Sequence, residues 1–134
     1  MSRLNKAIFT LISCTILSGF GKPEHSKVNV TVVKKHNDLV VTFKVEMNPG
    51  IVVTPEGPWE VRIQDPSELN LKPVNKGDFV SKKFDQSIPG FEVKTAVPKS
   101  RQGKFSWKLR SFVCTADKVK CYPELHKGET DWSI

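Results

Sequence analysis

The chain has 134 residues, 38% hydrophobic and 26% charged, a balance that fits one globular domain and excludes wholesale disorder. The formal charge is +7, but its lysines are scattered, with Lys34-Lys35, Lys82-Lys83, Lys118 and Lys120 forming no dense run interleaved with aromatics. A nucleic-acid face is therefore not expected, and the charge reads as a solvated surface with weak attraction to acidic partners.

The first stretch reads as a segment separate from the domain. Arg3 and Lys6 form a basic start, residues 7–20 are nearly all apolar, and Gly19-Phe20-Gly21 closes the run before a polar stretch. This pattern predicts an export signal over residues 1–21, followed by one domain over residues 22–134. The run is short for a bilayer span, and no other segment is long and apolar enough, so no transmembrane helix is expected in the mature chain. Two processing routes fit. Cleavage after Gly19 or Gly21 would release the domain into the periplasm or the medium. Alternatively, Leu11-Ile12-Ser13-Cys14 resembles a lipoprotein box, in which Cys14 would carry a lipid anchor. Simple release is favoured, because lipidation would leave residues 15–20 as an apolar tail behind Cys14. Either route removes Cys14 from the thiol count. Loss of Arg3 and Lys6 lowers the charge from +7 by two, to +5.

Beyond the signal, period-two alternation predicts strands in chain order. Val28, Val30 and Val32 share one face. After a turn at His36-Asn37-Asp38, Leu39, Val41, Phe43 and Val45 share another, so the pair reads as a hairpin. Asn48-Pro49-Gly50 marks a turn into Ile51-Val52-Val53, and Pro55-Glu56-Gly57-Pro58 a second turn into the alternation Trp59, Val61, Ile63. Residues 65–83 are the least regular. Phe91, Val93, Thr95 and Val97 predict a strand closed by Pro98. Phe105, Trp107 and Leu109 lead towards Cys114, and a short last strand carries Trp132 and Ile134. No window has a helical period, and nine prolines resist long helices. The expectation is an all-β, immunoglobulin-like β-sandwich with Trp59 and Trp107 in its core.

The chemistry centres on Cys114 and Cys121, an even pair in an oxidising compartment, where a disulfide persists. If their flanking runs are adjacent antiparallel strands, the pair sits at the loop mouth with Cβ atoms at roughly bonding separation. Counting parity from Phe105, Trp107 and Leu109 places Phe112 and Cys114 on the outward side, where a partner could reach the bridge. Spacing alone leaves two readings open: a structural staple worth roughly 2–3 kcal/mol, or redox chemistry. His25, His36 and His126 lack ligand spacing. A metal site built from His126 with both cysteines would compete with the disulfide, so neither metal nor cofactor is expected. No nucleophile motif or carboxylate pair is present.

The run Cys114…Cys121-Tyr122-Pro123-Glu124, at the end of an exported sandwich, resembles the N-terminal periplasmic domain of the DsbD thiol-disulfide interchange family. The spacing is one residue longer than the family's. The resemblance implies exchange with other envelope thiol-disulfide proteins, with Cys121 attacking the partner and Cys114 resolving. It also implies a cap loop, for which Gly77-Asp78-Phe79-Val80-Ser81-Lys82 is the matching stretch. Phe79 would shield the sulfurs with acidic Asp78 beside it, and Tyr122 would pack at the same site or serve as a plain surface aromatic. A free-standing domain of this kind implies a separate electron donor. The alternative is a non-enzymatic envelope binding or structural domain with the bridge as a staple.

Overall fold

A computed structural model describes residues 23–74 and 76–134. The expected export signal and Cys14 lie outside the described residues. Strands follow the alternation: β1 (Ser26–Lys35), β2 (Asp38–Met47), β3 (Ile51–Val53), β4 (Glu60–Gln64), β5 (Phe79–Ser81), β6 (Gly90–Ala96), β7 (Gln102–Thr115) and β8 (Cys121–Ser133). They form two antiparallel sheets. One has the order β1-β2-β6. The other is organised on β7, which pairs with β8 along one edge and, on its other edge, with β4 near its start and β3 at its end. β5 lies outside β4. The expected all-β sandwich is what the chain forms.

The core is the set of side chains that alternation turned inward. Leu39, Val41, Phe43 and Val45 of β2 face Phe105, Trp107, Leu109 and Val113 of β7, with Trp59, Val61, Ile63, Phe91 and Val93 completing the layer. Phe43 meets Phe105 and Trp107 edge-on, with centroids 6.4 and 5.7 Å apart. Each fully buried side chain of this size stabilises the fold by roughly 1.5–3 kcal/mol relative to exposure. The irregular stretch carries a 3-10 turn at Pro66–Leu69, which places Leu69 in the core, and the short β5.

The last strand departs from expectation. It is not short: β8 has 13 residues and pairs with β7 from Gln102↔Ser133 to Cys114↔Cys121. Its inward positions are largely not hydrophobic, so alternation did not reveal them. Glu124 and His126 are buried there, and Gly128 lies under the Trp107 ring, where a Cβ would come within 2.5 Å of Cζ2. The indole N–H of Trp107 donates to Thr130 Oγ1 at 3.1 Å. Hydrogen bonds and a close approach replace the apolar pattern on which strand recognition rests.

Candidate functional site

The β7–β8 connection, residues 116–120, is held by its own backbone. Thr115 N–H donates to Lys120 O at 2.8 Å, Lys118 N–H to Thr115 O at 2.7 Å, and Ala116 N–H to Gly50 O at 3.0 Å. The Asp117 carboxylate accepts from the Thr115 hydroxyl and from Val119 N–H. Those two bonds, the hydroxyl's first, draw its pKa below the ordinary aspartate value. Lys118 takes the left-handed conformation at φ 62°. This turn makes Cys114↔Cys121 the closing pair of the ladder. The two are joined in a disulfide, with a Cα–Cα distance of 3.9 Å and a sequence separation of 7.

The two halves of the bridge differ in environment. Cys121 is exposed, whereas Cys114 is only 1% exposed. The parity count holds along β7, since Ser111 and Val113 continue the inward face after Leu109. The inferred accessibility of Cys114 does not. Residues 54–58 fold over this part of β7: Thr54 N–H donates to Phe112 O at 3.1 Å, and Gly57 N–H to Thr54 O at 3.1 Å. Gly57 lies so close that a Cβ would fall 2.2 Å from Phe112 Cβ, which requires glycine there. β3 runs alongside, with Val52 opposite Cys114. The Thr54 hydroxyl donates to Cys114 Sγ at 2.9 Å. Thr54 is held in turn by the Trp59 indole N–H, which donates to its carbonyl at 2.7 Å, and Trp59 stacks on Phe84 at 4.0 Å. No sequence motif marked Thr54; its contact crosses 60 positions.

The residues assigned to a cap are elsewhere. Phe79 pairs with Ile63, which pairs with Trp107. Trp107 and Cys114 lie at different places on β7, about 23 Å apart at strand rise. Phe79 packs against the core, and Asp78 accepts from Arg62 Nη1 at 3.3 Å. β4–β5 pairing thus removes both from the sulfurs. Tyr122 neighbours Cys121 in sequence, but successive strand residues face opposite sides. It stacks on His25, with ring centroids 3.7 Å apart and planes 9° from parallel. Lys118 and Lys120 are exposed beside Cys121.

Beneath that stack lies a polar cluster absent from the sequence reading. Glu124, 1% exposed, accepts from Glu24 N–H and His25 N–H, both at 3.0 Å, and from the Ser26 hydroxyl at 2.6 Å. His25 Nδ1 lies 3.0 Å from the same carboxylate. His126 Nε2 sits 3.2 Å from Ser26 Oγ and 3.3 Å from Ser111 Oγ. Burial works to raise the Glu124 pKa, but the hydrogen bonds from Ser26, His25 and the Glu24 amide outweigh it and hold it below the ordinary value. Burial lowers that of His126, against the opposing pull of Glu124. The cluster clamps the entry of β1 onto β8. His126 faces these groups, and both sulfurs are in the bridge, so the alternative metal arrangement is not assembled. Among the described residues, no group of three or more His, Cys, Asp or Glu could hold a metal ion. None of their helices is long and apolar enough to cross a membrane.

Comparison with family models, with curated proteins and with solved structures finds no match to this chain.

Proposed function

We propose that the chain is an exported thiol-disulfide exchange module that passes reducing equivalents between envelope proteins through Cys114 and Cys121, in the manner of the DsbD N-terminal domain it resembles. The observation that carries this reading is the asymmetry of the bridge: an exposed Cys121 bonded to a buried Cys114. With the exposed half of the bridge at Cys121 and the buried half at Cys114, formation of the mixed disulfide is favoured at Cys121. In the reduced domain, the Cys121 thiolate attacks one sulfur of a partner disulfide. The partner S–S bond breaks, one partner sulfur leaves as thiolate, and a mixed disulfide forms. The Cys114 thiolate then attacks Cys121 Sγ, closes the intramolecular bridge and expels the second partner thiolate. The domain loses two electrons, the partner gains two, and a separate dithiol donor restores the starting state.

The test is equilibration of the purified domain in graded dithiol buffers, with thiols trapped at each step and the melting temperature recorded alongside. The expected midpoint is near −200 mV, within the range of exchange proteins, with the fold retained after reduction. A midpoint below about −300 mV, with cooperative unfolding on reduction, would make the bridge a staple and the chain a non-enzymatic sandwich.

A further inference from the structure

We infer that Thr54 is a positioning residue that makes Cys114 the leaving sulfur of the bridge, and so directs an incoming thiolate to Cys121. The inference rests on the exchange reading and adds a group to it. The Thr54 hydroxyl donates to Cys114 Sγ at 2.9 Å. Its direction is held from two sides: the backbone N–H is bound to Phe112 O at 3.1 Å, and the carbonyl receives the Trp59 indole N–H at 2.7 Å. Threonine is branched at Cβ, so few rotamers compete with the one observed. When an external thiolate bonds to Cys121 Sγ, the Cys114–Cys121 bond breaks and its electron pair stays on Cys114. That charge appears at a sulfur shut off from water, where a buried anion is costly unless a donor is already aimed at it. The donor is in place before the reaction begins. A hydrogen bond to an ionised acceptor is roughly twice as strong as one between neutral groups, so this contact strengthens as charge develops. Hydrogen bonding to the charged form lowers a thiol's pKa, and a thiol of lower pKa leaves faster.

Two measurements test this on the full domain. The first follows thiolate absorbance against pH in Cys121→Ala, where Cys114 is the titrating thiol. Adding Thr54→Val, which keeps the shape and deletes the donor, should raise the midpoint by about one pH unit, while Thr54→Ser should leave it near the parent's. The second is the rate at which dithiothreitol reduces the oxidised two-cysteine domain at pH 7. Thr54→Val should slow it by about threefold, since only part of the charge has developed on the leaving sulfur in the transition state, with Thr54→Ser restoring most of the rate. Thr54→Ala provides the same comparison if circular dichroism shows the valine variant unfolded. Equal titrations and rates in the parent and the donor-less variant would overturn the role of Thr54, as would a serine variant behaving like valine. A parent that dithiothreitol reduces only with loss of the fold would instead sink the exchange reading itself.

Discussion

At the scale of single residues, charge placement decides how the domain answers to pH. Glu124 is held below the ordinary glutamate value by Ser26, His25 and the Glu24 amide, so its protonation is harder in the fold than in the unfolded chain. Its contribution is fully present above the unfolded value of about 4.3 and is lost as pH falls through the folded one. His126 is also lowered, by burial, so the unfolded chain takes up its proton first. That contribution holds above about pH 6.5 and is lost as pH drops through the folded value. The signs agree. The melting temperature should climb between pH 4 and pH 7, and Glu124→Gln should flatten the acid part of the curve. It should also cost about 1–3 kcal/mol at pH 7, because the charge-assisted bonds from residues 24–26 are lost. A melting temperature independent of pH, or an unaltered curve in the variant, would contradict this clamp.

At the scale of elements, the long β7–β8 hairpin is what brings the cysteines into register. Its geometry depends on a few positions where chemistry replaces hydrophobic alternation. Gly128 is the most exacting of them, because Trp107 lies across it and a Cβ would meet Cε2 at 2.8 Å as well as Cζ2 at 2.5 Å. Neither atom is the end of a flexible chain. Gly128→Ala should therefore push the indole from its place against Phe43 and strain its bond to Thr130. A destabilisation of about 1–3 kcal/mol is expected from chemical denaturation, as for other overpacked sites. A neutral effect would mean that the ring has room to shift. The turn is less demanding, since Thr115 and Asp117 supply its bonds from side chains and leave Lys118 and Lys120 outward beside Cys121.

At the scale of the whole molecule, the sandwich separates two jobs along β7. Near its start, β4 and β5 build a thick part of the core around Trp107, Ile63 and Phe79. At its end, β3 and residues 54–58 cover the Cys114 half of the bridge and leave Cys121 exposed. Substitutions at one end should leave the other largely untouched, since distant sites act independently. Phe79→Ala should cost about 2 kcal/mol through lost packing against the core. The rate at which an alkylating agent modifies the reduced thiols under native conditions should stay as in the parent. Faster alkylation with stability intact would return Phe79 to the role of a shield.

Sequence alone determines the apolar strands β1–β4, β6 and β7, their inward faces and the pairing of the two cysteines, because period-two alternation and turn residues act over a few neighbouring positions. By contrast, β5 and the length of β8 come only from tertiary pairing. Val41 and Phe43, or Phe105 and Trp107, declare their side of a sheet through the residues next to them. What covers that side is a different matter. Thr54 meets Cys114 across 60 positions, and His25 reaches Glu124 across 99. Neither contact leaves a periodic trace, since each is made by a polar group serving one distant partner. Phe79 went astray for the same reason: proximity to the cysteines was inferred from a family likeness, while strand pairing with β4 set its position. Alternation determines which way a side chain points; the tertiary fold decides what it meets there, and here that distinguishes a buried cysteine from an exposed one.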